Sequence, residues 1–310
     1  RLLFAYGVLL DILDRTGLDY NDPDSRFAQQ YARGFEAIDT LFPASLGYTL
    51  NTRDGTPPSV VPTGTLDMRG STIQTQRGGD ILVLGPGGDV GVGSTSAPPL
   101  VPASAFTAGI GPNNQGILVL EQGRIRMFTD QSVLLAQSRI FTEQGGDLLI
   151  WSSNGDINAG KGVKTSSEIP PPSFLCDVDH FCVPDAGSQV SGAGIAVLQT
   201  LAGQPSGVAN LVAPGGTVDA GDAGIRVSGS LNVAALKVAN ADNIAVSGNA
   251  SGVPTTVVDT GALGAASSVS ASVSQSAVQS GGASRAREEP ALMVNVEVLG
   301  FGGVPDEDED

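Results

Sequence analysis

The hydrophobic positions between Val218 and Val246 fall in pairs separated by one residue. Such pairs follow one another every five to seven positions, with mostly polar residues inside the pairs and Gly, Asn, Asp or Ser between them. Separation by one residue places both side chains of a pair on one face of a β-strand. The intervals are too short for helices, so the pattern predicts short strands joined by tight corners. The predicted inward-facing pairs are Val218 and Ala220, Ile225 and Val227, Leu231 and Val233, Leu236 and Val238, and Ile244 and Val246.

The same pattern recurs along the chain as a sequence repeat. Residues 145–160 align without a gap on residues 78–93, and their second half recurs at 216–221. The start-to-start offsets of 67 and 61 residues are each close to three times a unit of about 20 to 22 residues. Three short strands and three corners fill such a unit, which is one winding of a parallel β-helix. A unit this short buries no core alone, so we expect windings to stack about 4.8 Å apart.

A flat β-sandwich is the competing interpretation, because it also contains short strands and frequent turns. The recurrence of one sixteen-residue pattern favours the β-helix. Composition agrees with that choice, since the chain has 42 Gly, 41% hydrophobic residues and only 5% aromatic residues. We therefore expect a narrow interior made of small and β-branched side chains.

Residues 1–43 follow a different pattern, which predicts two helices. The apolar face of the first helix begins at the start of the chain, and no signal-peptide layout is present, so we expect a piece of a longer protein. In the second helix, Asp22 is predicted to be the N-cap, and Pro43 is predicted to end the helix. The predicted apolar positions are Leu2, Leu3, Tyr6, Leu9, Leu10 and Leu13 in the first helix, and Phe27, Tyr31, Phe35, Ile38 and Phe42 in the second.

Composition divides the rest of the chain. Two Pro/Ser/Gly-rich passages interrupt the repetitive region and predict loops extruded from a corner of the windings. A low-complexity stretch then predicts a flexible linker, with loosely patterned strand as the alternative. An alternating segment and a run of acids predict one half-buried strand and a disordered tail. The predicted organisation is a helical segment at 1–43, a parallel β-helix at 44–250 with loop insertions at 94–112 and 167–190, a Ser/Ala/Gly linker at 251–290, a terminal strand at 291–303 and an acidic tail at 304–310.

The charge of the chain excludes several classes of partner. Its 32 acidic and 16 basic residues give a formal net charge of −16, which repels nucleic acid and anionic lipid. No run reaches the ~20 consecutive apolar residues of a membrane span. We therefore predict neither nucleic-acid binding nor membrane insertion.

The residues give little support to catalysis. His180 is the only histidine, and it lies in an irregular stretch without a nucleophile motif such as G-x-S-x-G. Acids after glycine at corners are the other candidates, because β-helices also carry polysaccharide lyases and hydrolases with acids on an outer face. Their recurrence at one repeat position favours a structural role, in which each carboxylate binds its own backbone in a turn. These acids are Asp80, Asp89, Asp147, Asp156, Asp219 and Asp222.

No cofactor and no metal site is predicted. Calcium-binding repeats use the nonapeptide G-G-x-G-x-D-x-U-x, which residues 87–91 and 215–219 match only loosely and without a tandem run. The phosphate-binding pattern G-x-x-x-x-G-K-[ST] does not occur. One further cluster could hold a cation, although an ordinary solvated loop is the preferred interpretation. It comprises Asp177, Asp179, His180 and Asp185.

The only two cysteines, Cys176 and Cys182, are predicted to form a local disulfide. With one nearby histidine they leave the ligand set of a zinc site one short. A disulfide fits an oxidising compartment outside the cytoplasm, and in so small a loop it stabilises the fold by roughly 2 kcal/mol at most. We expect it to staple a surface loop rather than to anchor the chain.

Four longer runs carry a family resemblance: residues 66–80, 138–160, 213–226 and 298–302. They resemble the C-terminal region of filamentous haemagglutinin-family exoproteins, and the resemblance extends from about residue 45 to residue 303. It implies a large, Gly-rich, right-handed β-helical fibre, exported through an outer-membrane transporter by two-partner secretion. It also implies an extracellular or bacterial outer-cell-surface location and a role in adhesion, aggregation or biofilm contact. The family's N-terminal secretion-recognition domain is not recognisable here, so we expect a distal portion of such a protein.

We therefore expect a mainly β protein without catalytic activity, folded as a right-handed parallel β-helix with a short helical N-terminal segment and extruded loops. Its expected partners are the outer-membrane transporter and glycans or proteins on host or neighbouring cells, contacted through the two loop insertions. One alternative is a β-helical carbohydrate-active enzyme. Exposed acids beside Trp or Tyr residues on one sheet face would favour this alternative. Another alternative is a processing or release module of the parent exoprotein. A natural chain break within 251–290 would favour it.

Overall fold

The structure, a computed structural model, describes most of the first 254 residues. The chain divides into two units, Arg1–Thr256 and Val257–Asp310, and all described residues lie in the first. The described residues are 2–43, 64–93, 115–162, 164, 174–176, 182–184, 190, 192–200 and 203–254. The predicted segments wholly or mostly outside this part are the insertions 94–112 and 167–190, the linker 251–290, the strand 291–303 and the tail 304–310.

Two helices precede the strands in the described part of the chain. The helices are α1 (Leu2–Tyr20) and α2 (Ala32–Leu41). The strands are β1 (Leu66–Met68), β2 (Thr72–Thr75), β3 (Ile81–Gly85), β4 (Val90–Val92), β5 (Gly116–Val119), β6 (Ile125–Thr129), β7 (Val133–Leu135), β8 (Arg139–Thr142), β9 (Leu148–Ser152), β10 (Ile157–Asn158), β11 (Phe174–Cys176), β12 (Cys182–Pro184), β13 (Gly194–Val197), β14 (Val208–Asp219), β15 (Ile225–Val227), β16 (Ser230–Ala239), β17 (Ile244–Val246) and β18 (Ala250–Ser251).

The strands form six windings of a parallel β-helix with three walls. Wall 1 contains β1, β4, β7, β10 and the ends of β14 and β16, whereas wall 2 contains β2, β5, β8, β13, β15 and β17. Wall 3 contains β3, β6, β9, the beginnings of β14 and β16, and β18. Each strand pairs in parallel with the strand of the next winding. The predicted fold class, mainly β with a parallel β-helix and a helical N-terminal segment, is confirmed.

The register of the strands corrects the interpretation of the repeat. An uninterrupted winding early in the stack runs from Leu66 to its partner Val90, and a slightly shorter one late in the stack runs from Val218 to its partner Val238. The shorter of the two repeat offsets is a single winding, because Ile157 pairs directly with Val218. The longer offset is two windings, from β3 through β6 to β9. Counting each offset as three units was wrong, because long insertions enlarge two of the windings.

The interior of the windings is aliphatic, as composition predicts. Its buried core consists of Ile, Val, Leu, Ala and Met, while the large buried rings Trp151, Phe128 and Phe141 lie on outer faces of the walls. The predicted inward positions from Val218 to Val233 are confirmed, since all of them are buried in this core. Stacked narrow windings therefore select small side chains inside and place rings where other elements cover them.

Leu236 is an error among the predicted inward positions, because its side chain is 77% exposed. It stands where β16 turns from wall 3 to wall 1, between half-buried Ala235 and exposed Lys237. A corner interrupts the alternation of inward and outward side chains, so the period of two does not continue through it. The other late positions, Val238, Ile244 and Val246, are half-buried against the core.

The second helix begins later than predicted. Asp22 does not cap it, because its carboxylate accepts a hydrogen bond from the Asp24 N–H at 3.0 Å and closes a local turn. Turns continue to Gln29, whose φ of 58° is left-handed and incompatible with a continuing helix. The helix α2 then begins at Ala32 and ends at Leu41, two residues before Pro43.

Candidate functional surface

The helices α1 and α2 cover the outer face of wall 3. Leu9, Leu10 and Leu13 of α1 are buried against β-strand side chains in one apolar cluster with Trp151 and Phe128. The 19 residues of α1 extend about 28 Å at 1.5 Å per residue, which is close to the height of six stacked windings. Sequence reasoning missed this docking because the outward positions of wall 3 look like ordinary strand residues until the helices are placed on them.

An asparagine chain joins the C-terminal half of α1 to wall 3. The side chain of Asn210 donates to the main-chain oxygen of Asp14 at 2.7 Å and to its carboxylate at 3.0 Å. Asn232, one winding further along, donates to the Gly17 carbonyl at 2.9 Å and to the Asn210 side-chain oxygen at 2.8 Å. Asn21 donates in turn to Asn232 at 2.9 Å. These buried amides are mutually satisfied, so they fix the helix at one position along the rod.

Two glycines allow the helices to approach the wall closely. A Cβ atom at Gly17 would overlap Val212 Cγ2 and lie 2.7 Å from Asn210 Oδ1. A Cβ atom at Gly34 would lie 2.6 Å from Trp151 Cη2. Backbone contact with a sheet surface at these distances is possible only without a side chain.

Four of the six corner aspartates connect successive windings rather than their own turns. Asp80 accepts a hydrogen bond from the Arg124 N–H and Asp89 from the Ser132 N–H, each at 2.9 Å. In the same way Asp147 accepts from the Val208 N–H at 2.9 Å and Asp156 accepts from the Thr217 N–H at 2.7 Å. Each acceptor therefore lies directly under its donor, one winding below. The structural interpretation of these acids is supported, but their partner is the next winding and not the local backbone.

Asp219 differs from these four, because it binds the backbone of its own turn, as predicted, as well as side chains of the neighbouring windings. Asp219 accepts from the Gly221 N–H at 2.8 Å, from Asn240 at 2.7 Å and from Asn158 at 3.2 Å. Asp222 lies in the turn after β14. Within the described residues, no group of three or more His, Cys, Asp or Glu side chains could hold a metal ion. The predicted alternative cluster of Asp177, Asp179, His180 and Asp185 lies outside the described residues.

Burial changes the titration of Asp14 and of Asp130. Burial raises the pKa of Asp14 above its ordinary value, while its hydrogen bond from Asn210 opposes part of the effect. Burial likewise raises the pKa of Asp130, whose carboxylate accepts from Gln131 and Asn154. Both carboxylates accept hydrogen bonds from amide side chains, so both belong to the supporting structure.

The three walls differ in what they leave open. Wall 3 is covered by the helices, and on wall 2 the outward side chains Leu118, Phe141 and Ala196 are buried. On wall 1 the outward positions are partly open to solvent, and Leu134 is 44% exposed. Wall 1 is therefore an outer face of the described rod that offers a surface to a ligand. No helix of the described residues has both the length and the hydropathy to cross a membrane.

Both insertions leave the rod at one corner. The connection from wall 1 to wall 2 is a short turn in windings 1 and 3, at 69–71 and 136–138. In windings 2 and 4 the same connection is many times longer, at 93–115 and 159–193. The two points of exit are two windings apart, which is about 10 Å along the rod. We call this edge of the rod the insertion corner.

A groove follows the outer face of wall 1 beside the insertion corner. Its volume is about 650 Å³, and it crosses the first four windings. Apart from Asp89, sequence reasoning singled out none of its polar residues as a site, because they are single positions between apolar ones. The groove is lined by Thr65, Asp67, Arg69, Asp89, Gly91, Val92, Gly93, Leu134, Leu135, Ala136, Gln137, Asn158, Gly160 and Lys161.

The insertion of winding 4 contains a strand hairpin. Its strands β11 and β12 are antiparallel, and their register places Cys176 opposite Cys182. His180 lies between these strands, outside the described residues.

The comparisons with known proteins agree with the resemblance stated from the sequence. Residues 145–255 match a family model described as filamentous haemagglutinin family outer membrane protein. The matched region runs from β9 to β18, through the last windings of the rod. No curated protein and no solved structure matches the chain. The last windings of the rod are thus similar to the filamentous haemagglutinin family, and the description of that family agrees with the predicted location at the outer cell surface or outside the cell.

Proposed function

We propose that this protein is a non-catalytic segment of a secreted or surface-displayed exoprotein that acts in adhesion, aggregation or biofilm contact. The parent protein reaches its site through the outer-membrane transporter of two-partner secretion. Its contacts are made with glycans or proteins of host or neighbouring cells. The family match at 145–255 supports an exoprotein of this type.

The observation that carries the proposal is the position of the insertions. The described ends of two long connections lie at a single corner, two windings apart, on a rod whose walls are hydrogen-bonded from winding to winding. Segments held by a rigid scaffold are where proteins commonly make contacts. The buried aliphatic interior and the corner aspartates fix the spacing of the points where those segments leave the rod.

A cell-binding assay tests the proposal. The fluorescently labelled chain is compared with two variants, in each of which one long connection is replaced by the short Ala-Gln-Ser corner of winding 3. We expect the chain to bind bacterial or host cells and at least one shortened variant to lose that binding. The matched control is Leu236→Ser, which removes an exposed apolar side chain at another corner. If both shortened variants bind cells as well as the unmodified chain does, the proposal is contradicted. Cleavage of a polysaccharide by the chain also contradicts it.

We further propose that Cys176 and Cys182 form a disulfide within the hairpin. Directly opposite residues of antiparallel strands have Cα atoms about 4.5 to 5.5 Å apart, which lies within the range of about 4.4 to 6.8 Å found for disulfides. The register of β11 and β12 provides this arrangement. The disulfide then closes a loop that the proposed function assigns to contact.

A further inference from the structure

The groove on wall 1 has a shape that its sequence explains. Outward positions of successive windings form a row, in which Asp67, Gly91, Leu134 and Asn158 follow one another. Gly91 alone in this row has no side chain, so the row is interrupted for one strand. The gap between its neighbours on either side is about 10 Å, or two strand spacings. The missing side chain at Gly91 therefore leaves room within the groove.

The gap at Gly91 is not required by the packing of the windings. A Cβ atom placed there would have only the Leu66 carbonyl oxygen within 4 Å, at 3.9 Å. At Gly93, by contrast, φ is 77° and a Cβ atom would overlap the side chain of Ser138. Gly93 is thus needed by the backbone, whereas Gly91 leaves space that a side chain could fill without strain.

The lining of the groove balances its charges. Asp67 and Arg69 form an ion pair, Asp89 contributes a second carboxylate, and Lys161 contributes a second cation. The overall charge of −16 further disfavours an anionic ligand. Because neither sign of charge prevails in the groove, its charges favour a neutral ligand.

The lining also combines hydrogen-bonding groups with an apolar surface. Gln137 contributes an amide, which both donates and accepts hydrogen bonds. Asn158 contributes a second amide, which already donates to Asp219 and accepts from the Gly160 N–H and therefore keeps one further N–H and one lone pair for a ligand. Leu134 presents a partly exposed apolar side chain beside them. A ligand with many neutral hydroxyl groups and apolar C–H faces matches this lining. The volume of about 650 Å³ lies within the usual range of about 300 to 1,000 Å³ for ligand sites.

We propose that the groove on wall 1 binds a short neutral oligosaccharide, with Gly91 as its floor and with Asp67, Arg69, Gln137, Asn158 and Lys161 as its polar groups. This inference rests on the proposed adhesive function and gives it a ligand class. The groove lies beside the insertion corner, so a cell-surface glycan in the groove lies close to the points where the insertions leave the rod.

A filled groove provides the test. The chain, a Gly91→Gln variant and the control variant Ala245→Gln are screened against immobilised neutral oligosaccharides and against sulfated and uronic-acid oligosaccharides. Ala245 is an exposed outward position on wall 2, so the control adds the same side chain outside the groove. We expect the unmodified chain to bind neutral oligosaccharides. Gly91→Gln should weaken that binding about tenfold or more, which corresponds to about 1.4 kcal/mol. Ala245→Gln should leave it unchanged.

Three results overturn the assignment of the groove. If Gly91→Gln binds neutral oligosaccharides as well as the unmodified chain, the site lies elsewhere. If the chain binds cells but only charged oligosaccharides, or none, the ligand class is wrong while the adhesive function stands. A chain that binds neither cells nor oligosaccharides contradicts both proposals. Unfolding curves of the two variants distinguish a filled groove from a damaged fold.

Discussion

The docking of α1 on wall 3 predicts opposite effects for two substitutions in the same helix. Gly7→Ala and Gly17→Ala each gain about 1 kcal/mol of helix propensity. At Gly7 nothing lies within 4 Å of the added methyl group, so only the gain remains. At Gly17 the methyl group overlaps Val212 and lies within 2.8 Å of both side-chain heteroatoms of Asn210. Overpacking of this kind costs about 1 to 3 kcal/mol.

The difference between the two variants isolates the contact with the wall, because helix propensity cancels. We expect Gly17→Ala to unfold at lower urea concentration than Gly7→Ala, by about 1 to 3 kcal/mol in unfolding free energy. The chain has one tryptophan, and Trp151 is fully buried between the helices and wall 3, so its fluorescence reports this docking directly. A Gly17→Ala variant as stable as Gly7→Ala, with unchanged Trp151 emission, refutes the docked arrangement.

Three further predictions concern single side chains. Asp156→Ala should lower the unfolding free energy by about 1 kcal/mol, because the Thr217 N–H loses its acceptor; Asp156→Asn keeps an acceptor and should cost less, and equal losses would contradict the contact. The raised pKa of Asp14 means that the folded state binds its proton more tightly than the unfolded state. The chain should therefore gain stability relative to Asp14→Asn as the pH falls from 7 through that raised value towards about 4, and a constant difference in urea unfolding across this range would be inconsistent with a buried carboxylate. Thiol titration of the unfolded, secreted chain should detect no free thiol from Cys176 and Cys182 without reductant, and two free thiols would disprove the disulfide.

The alternation of side chains predicts the interior of the rod because a narrow winding buries one face of every strand. This rule assigns Val218, Ile225 and Leu231 to the interior, and all three lie in the core. The rule stops at corners, where Leu236 turns outward. It is also silent about the outer faces, because a buried Trp151 and an exposed Leu134 look alike in a sequence of alternating strands.

The parts that sequence reasoning missed depend on contacts between distant segments. Asn210 and Asn232 occupy paired positions on adjacent windings, so their recurrence was a usable signal for a side-chain ladder. Nothing local, however, identifies Asp14 and Gly17 as their partners far earlier in the chain. The groove likewise requires the register, because only the pairing of β1, β4 and β7 places Gly91 between Asp67 and Leu134.

The distance between two spin labels on wall 1 tests the stacked windings most directly. Labels at Asp67 and Ala239, in a chain carrying Cys176→Ser and Cys182→Ser, stand on the first and sixth windings of the same wall. Five spacings of about 4.8 Å place their backbones about 24 Å apart, so double electron–electron resonance should give a narrow distribution near that value, allowing for the label tethers. A broad distribution, or one centred beyond about 40 Å, contradicts a rod of six continuous windings.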